Sequence, residues 1–316
     1  MSLKIRLGIS ECLLGKPVRF DGGHKLDRFL TETLGRYVEY VPVCPEVECG
    51  MPVPRESMHL EGDPSSPRLI TIRTRVDKTD QMVHWAEKRV AALEKEGLMG
   101  FIFKSDSPSS GMERVKVYNE KGMSARKGSG IFARIFMEQF PLLPVEEEGR
   151  LHDPAIRENF IERVFALARW REFLANKGNR GGLVDFHTKH KFLILSHSNN
   201  RYGEMGRLIA GAKQVPLGEL CEKYQKSLME SLKIRATAKK NTNVLMHMAG
   251  YFKNQLDHTE KAELLEIIDL YRRELVPLIV PITLINHYVR KYNQPYLQDQ
   301  YYLNPHPIEL QLRNHV

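Results

Sequence analysis

The stretch Val41-Pro-Val-Cys-Pro-Glu-Val-Glu-Cys-Gly50 decides how the first half of the chain is read. An apolar approach (Tyr37, Val38, Tyr40, Val41 and Val43) reads as a strand, and Pro45 stops it. A thiol, Cys44, and a carboxylate, Glu46, therefore stand at the strand's C-terminal end. In an open α/β sheet, the loops at that edge line the crevice where ligands bind. Two further stretches aim at the same edge, Ile9-Ser-Glu-Cys-Leu-Leu-Gly15 and Lys104-Ser-Asp-Ser-Pro-Ser-Ser-Gly111. The first half of the chain reads as a scaffold that brings these three loops together.

Outward from that stretch, strands alternate with helices. Strand signals cover residues 4–9, 68–73, 98–103 and 114–118, and helical spacing covers 27–34, 80–97 and 131–139. Asp21-Gly-Gly23 is a turn, Gly50 to Arg55 is extended by its prolines, and 59–67 is polar and turn-rich. The segment 141–145 closes the unit. This alternation predicts a mostly parallel, Rossmann-like α/β domain over residues 1–147. Strand signals cease in 146–154, which reads as a linker. Helical patterns then occupy 155–176, 183–196, 202–210, 217–232, 239–257, 259–274 and 280–292, with an aromatic tail at 296–303. The second domain, 153–316, is expected to be all-α.

With 316 residues, 42% hydrophobic and 27% charged, the composition is that of a globular protein with a substantial core. No apolar run reaches the roughly 20 residues that span a bilayer. The N-terminus lacks a signal-peptide pattern, so a cytoplasmic location is expected. In a reducing compartment the four cysteines (Cys12, Cys44, Cys49 and Cys221) read as ligands, nucleophiles or buried hydrophobes rather than disulfides. Residues 1–150 carry 23 Lys and Arg against 22 Asp and Glu, whereas 151–316 carry 24 against 17. A basic excess confined to one domain suits an anionic partner such as RNA, or simply a solvated helical surface.

By spacing alone the cysteines match neither a zinc finger nor a ferredoxin run. Cys12 and Cys44 read equally as strand-end hydrophobes, Cys49 is close enough to share a site, and Cys221 belongs with Leu217 and Leu220 in a core. Taken singly, Glu46 is an ordinary loop carboxylate, Ser107 a turn cap and Asp106 a turn former. His187, His190 and His197 have no paired carboxylates nearby in sequence and do not read as a metal site. Arg201, Tyr202 and Arg207 suit phosphates and a stacked base. Lys233, Arg235, Lys239 and Lys240, with Asn241, form the densest basic run and suit an RNA backbone or solvent. Met246, Met248, Tyr251 and Phe252 read as core.

The motifs Cys12-Leu-Leu-Gly15, Asp21-Gly-Gly23, Val43-Cys-Pro-Glu-Val47 and Ser107-Pro-Ser-Ser-Gly111 resemble, in order and spacing, those of the TudS family of iron–sulfur-dependent thiouracil desulfidases. His190-Lys-Phe-Leu-Ile-Leu-Ser-His197 and Tyr202-Gly-Glu-Met-Gly-Arg-Leu-Ile-Ala210 resemble the YbgA-type helical domain often fused to it. The fused arrangement is similar to bacterial enzymes that remove sulfur from 4-thiouridine in tRNA. The resemblance implies a 4Fe-4S cluster held by three cysteine thiolates with one iron open. It also implies Glu46 as general base, Ser107 as the residue that positions or protonates the substrate, and sulfur leaving as hydrogen sulfide. Cys12 and Cys44 match two ligand positions. The third falls at Ser110, where the family has cysteine. Three accounts stay open: a ligand knocked out by substitution, Cys49 in its place, or a natural variant with a weak or absent cluster. Free thiouracil or a thionucleoside is the narrower substrate, and a non-catalytic RNA-binding protein is the reading from another class.

Overall fold

The first unit is built from short apolar runs covered on both faces. The computed structural model describes residues 4–176 and 178–315. Residues 1–3, through which the chain was read to run into its first strand, lie outside the described residues. The elements are β1 (Arg6–Ser10), β2 (Glu39–Val43), α1 (Pro45–Glu48), β3 (Met58–Glu61), β4 (Arg68–Thr71), α2 (Thr79–Lys95), β5 (Gly100–Phe103), β6 (Val115–Tyr118), β7 (Ser124–Gly128), α3 (Ile131–Gln139) and β8 (Val145–Glu147). Four of them form a wholly parallel sheet in the order β2-β1-β5-β8. Leu7, Ile9, Phe101, Ile102 and Phe103 are fully buried, as strands sandwiched on both faces require. A Cβ on Gly8 would lie 2.1 Å from the Phe101 ring, so only glycine lets that ring pack across β1. From β1 the chain moves to β2 on one side and later returns to β5 on the other. This reversal is the switch point at which open α/β sheets bind ligands. It gathers the loops after Ser10, Val43, Phe103 and Glu147 at one edge.

A second, mixed sheet, ordered β4-β3-β6-β7, was not anticipated. Only β3 and β6 pair in parallel. Its inner face packs Leu60, Leu69, Val115 and Val117 against Met51, Met82 and Ile131. β3 lies partly in the segment read as turn-rich. β7 has an exposed, polar sequence that carries no strand signal of its own and owes its form to pairing with β6. The expected helix over 27–34 is a π-turn at Phe29–Thr33 followed by a 3-10 turn at Leu34–Arg36, with Leu30 and Leu34 buried. The expected linker at 146–154 is largely structured. β8 takes Val145–Glu147, and a 3-10 turn takes Arg150–His152. Its carboxylates misled the sequence reading because they are buried and partnered. Glu147 accepts the Met112 N–H at 2.7 Å, and Glu146 accepts Arg150 Nε at 2.6 Å.

By contact the chain divides into two units, Met1–Asp153 and Pro154–Val316. The second contains α4 (Pro154–Ala175), α5 (Arg180–His197), α6 (Asn199–Ala210), α7 (Leu217–Lys233), α8 (Ala238–Ala249), α9 (His258–Arg272), α10 (Ile279–Lys291) and α11 (Pro295–Gln298). Trp170, Phe186 and Tyr224 form its aromatic centre, with Trp170 and Tyr224 stacked at 5.2 Å. α8 ends eight residues sooner than its pattern suggested, because the chain must turn before Asp257 and Glu260 close a capping box on α9. Met248 and Phe252 are core, whereas Met246 and Tyr251 are 47% and 39% exposed, which corrects their reading as buried. Cys221 is half-buried rather than core. Among the described residues no helix is long and apolar enough to cross a membrane.

Candidate active site

A cavity of about 240 Å³ opens at the C-terminal edge of the parallel sheet, and Cys12, Cys44, Glu46, Ser107 and Ser110 all line it. Each is held by a different local device. Cys12 sits on a 3-10 turn, Glu11–Leu14, that leaves β1 directly and ends at Gly15 with φ of +85°. The Cys12 carbonyl is held by Lys25 N–H at 2.9 Å and Gly15 N–H at 3.3 Å. Cys44 caps α1, and Pro45 occupies that helix's first position, where a missing N–H costs nothing. The Cys44 N–H donates to Glu48 Oε1 at 3.0 Å. The loop from Ser107 to Gly111 is fastened to the start of α3. Its Pro108 and Ser109 carbonyls accept N–H groups of Ile131 and Ala133 at 3.2 Å each, and Gly111 O accepts Gly130 N–H at 2.7 Å. A Cβ on Gly130 would stand 2.4 Å from the Ser109 carbonyl carbon, so glycine is required for that approach.

The polar groups of the cavity form a chain. The Glu46 carboxylate pairs through Oε2 with Arg55, whose side chain is only 5% exposed and also donates to Val18 O at 3.1 Å. Glu46 Oε1 accepts Ser109 Oγ–H at 2.8 Å. Ser109 Oγ lies 3.0 Å from Ser107 Oγ, which accepts the N–H groups of Ser110 at 3.1 Å and Ser109 at 3.3 Å. Because the Ser109 hydroxyl is committed to Glu46, the Ser107 hydroxyl donates toward Ser109. The result is a continuous path from Ser107 through Ser109 to Glu46. Lys104, also in the lining, binds Glu148, Ser105 O at 2.9 Å and Ser105 Oγ at 3.0 Å. Burial pushes the Cys12 thiol up to about 11, against the pull of Lys104, and raises Cys44 as well.

Cys49 stands apart. It is absent from the cavity lining, packs against the apolar cluster that contains Met51 and Met82, and donates to Glu46 O at 3.3 Å. Ser110, 4% exposed, is the residue that accompanies the two thiols. Arg55, Ser109, Lys104 and Glu148 escaped the sequence reading. Arg55 follows a Pro-Val-Pro run with nothing to say where it folds back, whereas Ser109 lay inside a motif already singled out. In the helical unit, Arg207, Lys233, Arg235 and Lys239 are exposed. Arg201 is occupied by Glu204 and Glu230, at 3.2 and 3.0 Å, and the Lys240 amine by the carbonyls of His197 and Arg235. Tyr202 is half-buried.

Residues 7–148 match the family model described as 2-thiouracil desulfurase, and 191–307 match one described as a protein of unknown function, DUF1722. Over 158 residues, half of this chain and 94% of the relative, the sequence is 34% identical to uncharacterized protein YbgA of Escherichia coli (strain K12). Among solved structures, a 4Fe-4S-dependent thiouracil desulfidase, TudS, is similar with 28% identity over 48% of this chain and 95% of that one, at a TM-score of 0.40. The chain belongs to the YbgA family through its helical half, which is fused to a domain of the 2-thiouracil desulfurase family.

Proposed function

We propose that the protein is a desulfidase that converts the thiocarbonyl of a thiolated uracil to a carbonyl, with 4-thiouridine in tRNA as its substrate and the cytoplasm as its place of work. The observation that carries this reading is the convergence of Cys12, Cys44, Glu46, Ser107 and Ser110 on one cavity, within the segment matched by the desulfurase model. Two buried thiols lining one cavity are the soft donors an iron–sulfur cluster requires. The donor set therefore fits a 4Fe-4S group through Cys12 and Cys44. Ser110 supplies a harder oxygen with a far less acidic proton at the third position, which weakens the hold. When bound, the group supplies a Lewis-acidic iron with affinity for the substrate's sulfur.

The remaining chemistry falls to the chain's own side chains. Replacing C=S by C=O consumes one water, whose oxygen goes to carbon and whose two protons leave with sulfur as hydrogen sulfide. No electrons are exchanged. Glu46 is suited to take the first proton, since Arg55 fixes one of its oxygens and leaves the other facing the serines. The Ser107–Ser109 path links that carboxylate to a hydroxyl on the cavity wall, where it can return a proton to the departing sulfur or to the ring.

The tRNA reading is supported by the basic helical unit, by exposed Lys233, Arg235 and Lys239, and by Tyr251 stacked on Tyr296 at 5.2 Å with the Lys191 amine 4.6 Å from the Tyr296 ring. Such a platform suits an unstacked base flanked by phosphates. The test is anaerobic reconstitution followed by sulfide release and loss of the thiouridine absorbance from tRNA. Turnover of free thiouracil without salt-sensitive tRNA binding favours the narrower substrate. Binding of tRNA without sulfide release in a cluster-loaded Ser110→Cys chain contradicts the enzymatic reading.

A further inference from the structure

The helical unit holds a second group of chemistry-bearing side chains that desulfidation does not use. Glu158 and Glu162, one turn apart on α4, and His306 each offer a donor atom within 4.8 Å of the other two. Carboxylates alone make no site, but two histidines here have an unusual hydrogen-bond state. His197 is fully buried, and its Nδ1 lies 2.6 Å from the Ile234 carbonyl, so Nδ1 carries the proton. Its Nε2 has no hydrogen-bond partner and stands 3.3 Å from Glu162 Oε2. A neutral ring nitrogen facing a carboxylate oxygen sets two lone pairs in opposition, which either a proton on Nε2 or a metal cation between them relieves. The spacing is that of two ligands each about 2.1 Å from one ion and roughly 105° apart. His306 repeats the pattern. Its Nδ1 is 3.2 Å from the Pro307 carbonyl, and its Nε2 is buried without a partner. A ligating histidine characteristically gives its other ring N–H to a backbone carbonyl.

Arg313 does not fill this place. It donates to Glu158 Oε1 at 2.9 Å and Glu162 Oε1 at 2.7 Å, while the second oxygens face His315 Nε2 at 3.5 Å and His197 Nε2 at 3.3 Å. It thus orients the acids from outside and cancels one of their two charges. A cavity of about 300 Å³ lined by Glu158, Glu162, His197 and Arg313 offers a way in.

We infer that Glu158, Glu162 and His306, with His197 beside Glu162, form a binding site for a divalent first-row transition metal of the zinc or cobalt class. Mixed imidazole and carboxylate donors select such ions over calcium or magnesium, which take oxygen shells. The site lies wholly in the helical unit and is independent of the sheet-edge cavity.

The test uses the full chain carrying Cys12→Ala and Cys44→Ala, so that sheet-edge thiols cannot bind the probe. After chelation and dialysis, Co²⁺ is titrated by absorbance, with bound metal counted by elemental analysis. One Co²⁺ per chain is expected, with ligand-field bands but no thiolate charge-transfer band, and with a higher melting temperature. His306→Gln, at a partly exposed position, and His197→Gln should each weaken binding at least ~10-fold. Circular dichroism of the metal-free variants checks that they stay folded. No binding in the parent, a thiolate band, or undiminished binding in a folded histidine variant would overturn the assignment.

Discussion

The molecule sets an arginine against a carboxylate in two very different places. At the sheet edge, Arg55 pins one oxygen of Glu46 and the other faces a cavity through a serine. In the helical unit, Arg313 bridges Glu158 and Glu162, all nearly enclosed, and Glu162 is 3% exposed. The first pair lies on α1 and the extended segment after it, beyond a parallel strand, where a carboxylate can change its proton without disturbing the core. The second is clasped between α4 and the C-terminal segment, where losing either partner strands a buried charge. The same pair of groups thus serves reactivity in one setting and order in the other.

The largest expected effect separates the two settings. Glu46→Gln, placed in a cluster-competent Ser110→Cys chain, should lower sulfide release ~10²-fold or more with little change in melting temperature. Retained turnover would remove Glu46 as the base. Arg313→Met should do the reverse, costing roughly 3–5 kcal/mol in urea unfolding because two acids lose their cation. A smaller loss would mean the network is open to water.

Acid sharpens the contrast further. Burial holds the fully buried His190 well below its ordinary value, and holds His187 at about 4 against an ordinary 6.5. Between those values the unfolded chain takes up protons that the folded helical unit refuses. The resulting stability is therefore complete above pH 6.5 and is lost as pH falls toward 4. Unfolding followed from pH 7.5 to 4.5 should show the helical unit giving way first, and a flat profile would contradict the buried-neutral assignment. Arg55→Lys is a milder change, expected to reduce kcat ~10-fold at near-constant KM, since a point charge loses the second contact to Val18 O. Smallest is Lys239→Ala, which should lower the salt slope of tRNA binding by about one, whereas Lys240→Ala should mainly loosen the link to the end of α5.

The sheet-edge site was legible because its chemistry follows strand ends. Cys12 and Cys44 come immediately after apolar runs, and the serine loop follows another. Period and punctuation bring the three loops together, whereas the roles of Glu46, Ser107 and Ser110 within them were implied only by the family resemblance. What stayed hidden depends on tertiary return: Arg55 folds back from an extended proline segment, and Glu147 hides a carboxylate in a stretch that reads as a linker. β7 has no pattern beyond its partner's. In the helical unit His197 was visible, but the acid facing it, Glu162, is on α4 and His306 is more than a hundred residues on.

Ser110 is the residue on which the central claim turns. It occupies the place beside Cys12 and Cys44 that Cys49 does not reach. The most direct measurement compares this chain with Ser110→Cys after identical anaerobic reconstitution. Iron and sulfide content would be read alongside loss of the thiouridine absorbance from 4-thiouridine-containing tRNA. The expected result is higher cluster content and turnover in the cysteine form, with little of either in the serine form. Equal cluster content and equal turnover in both would contradict the assignment of Ser110 to the cluster site.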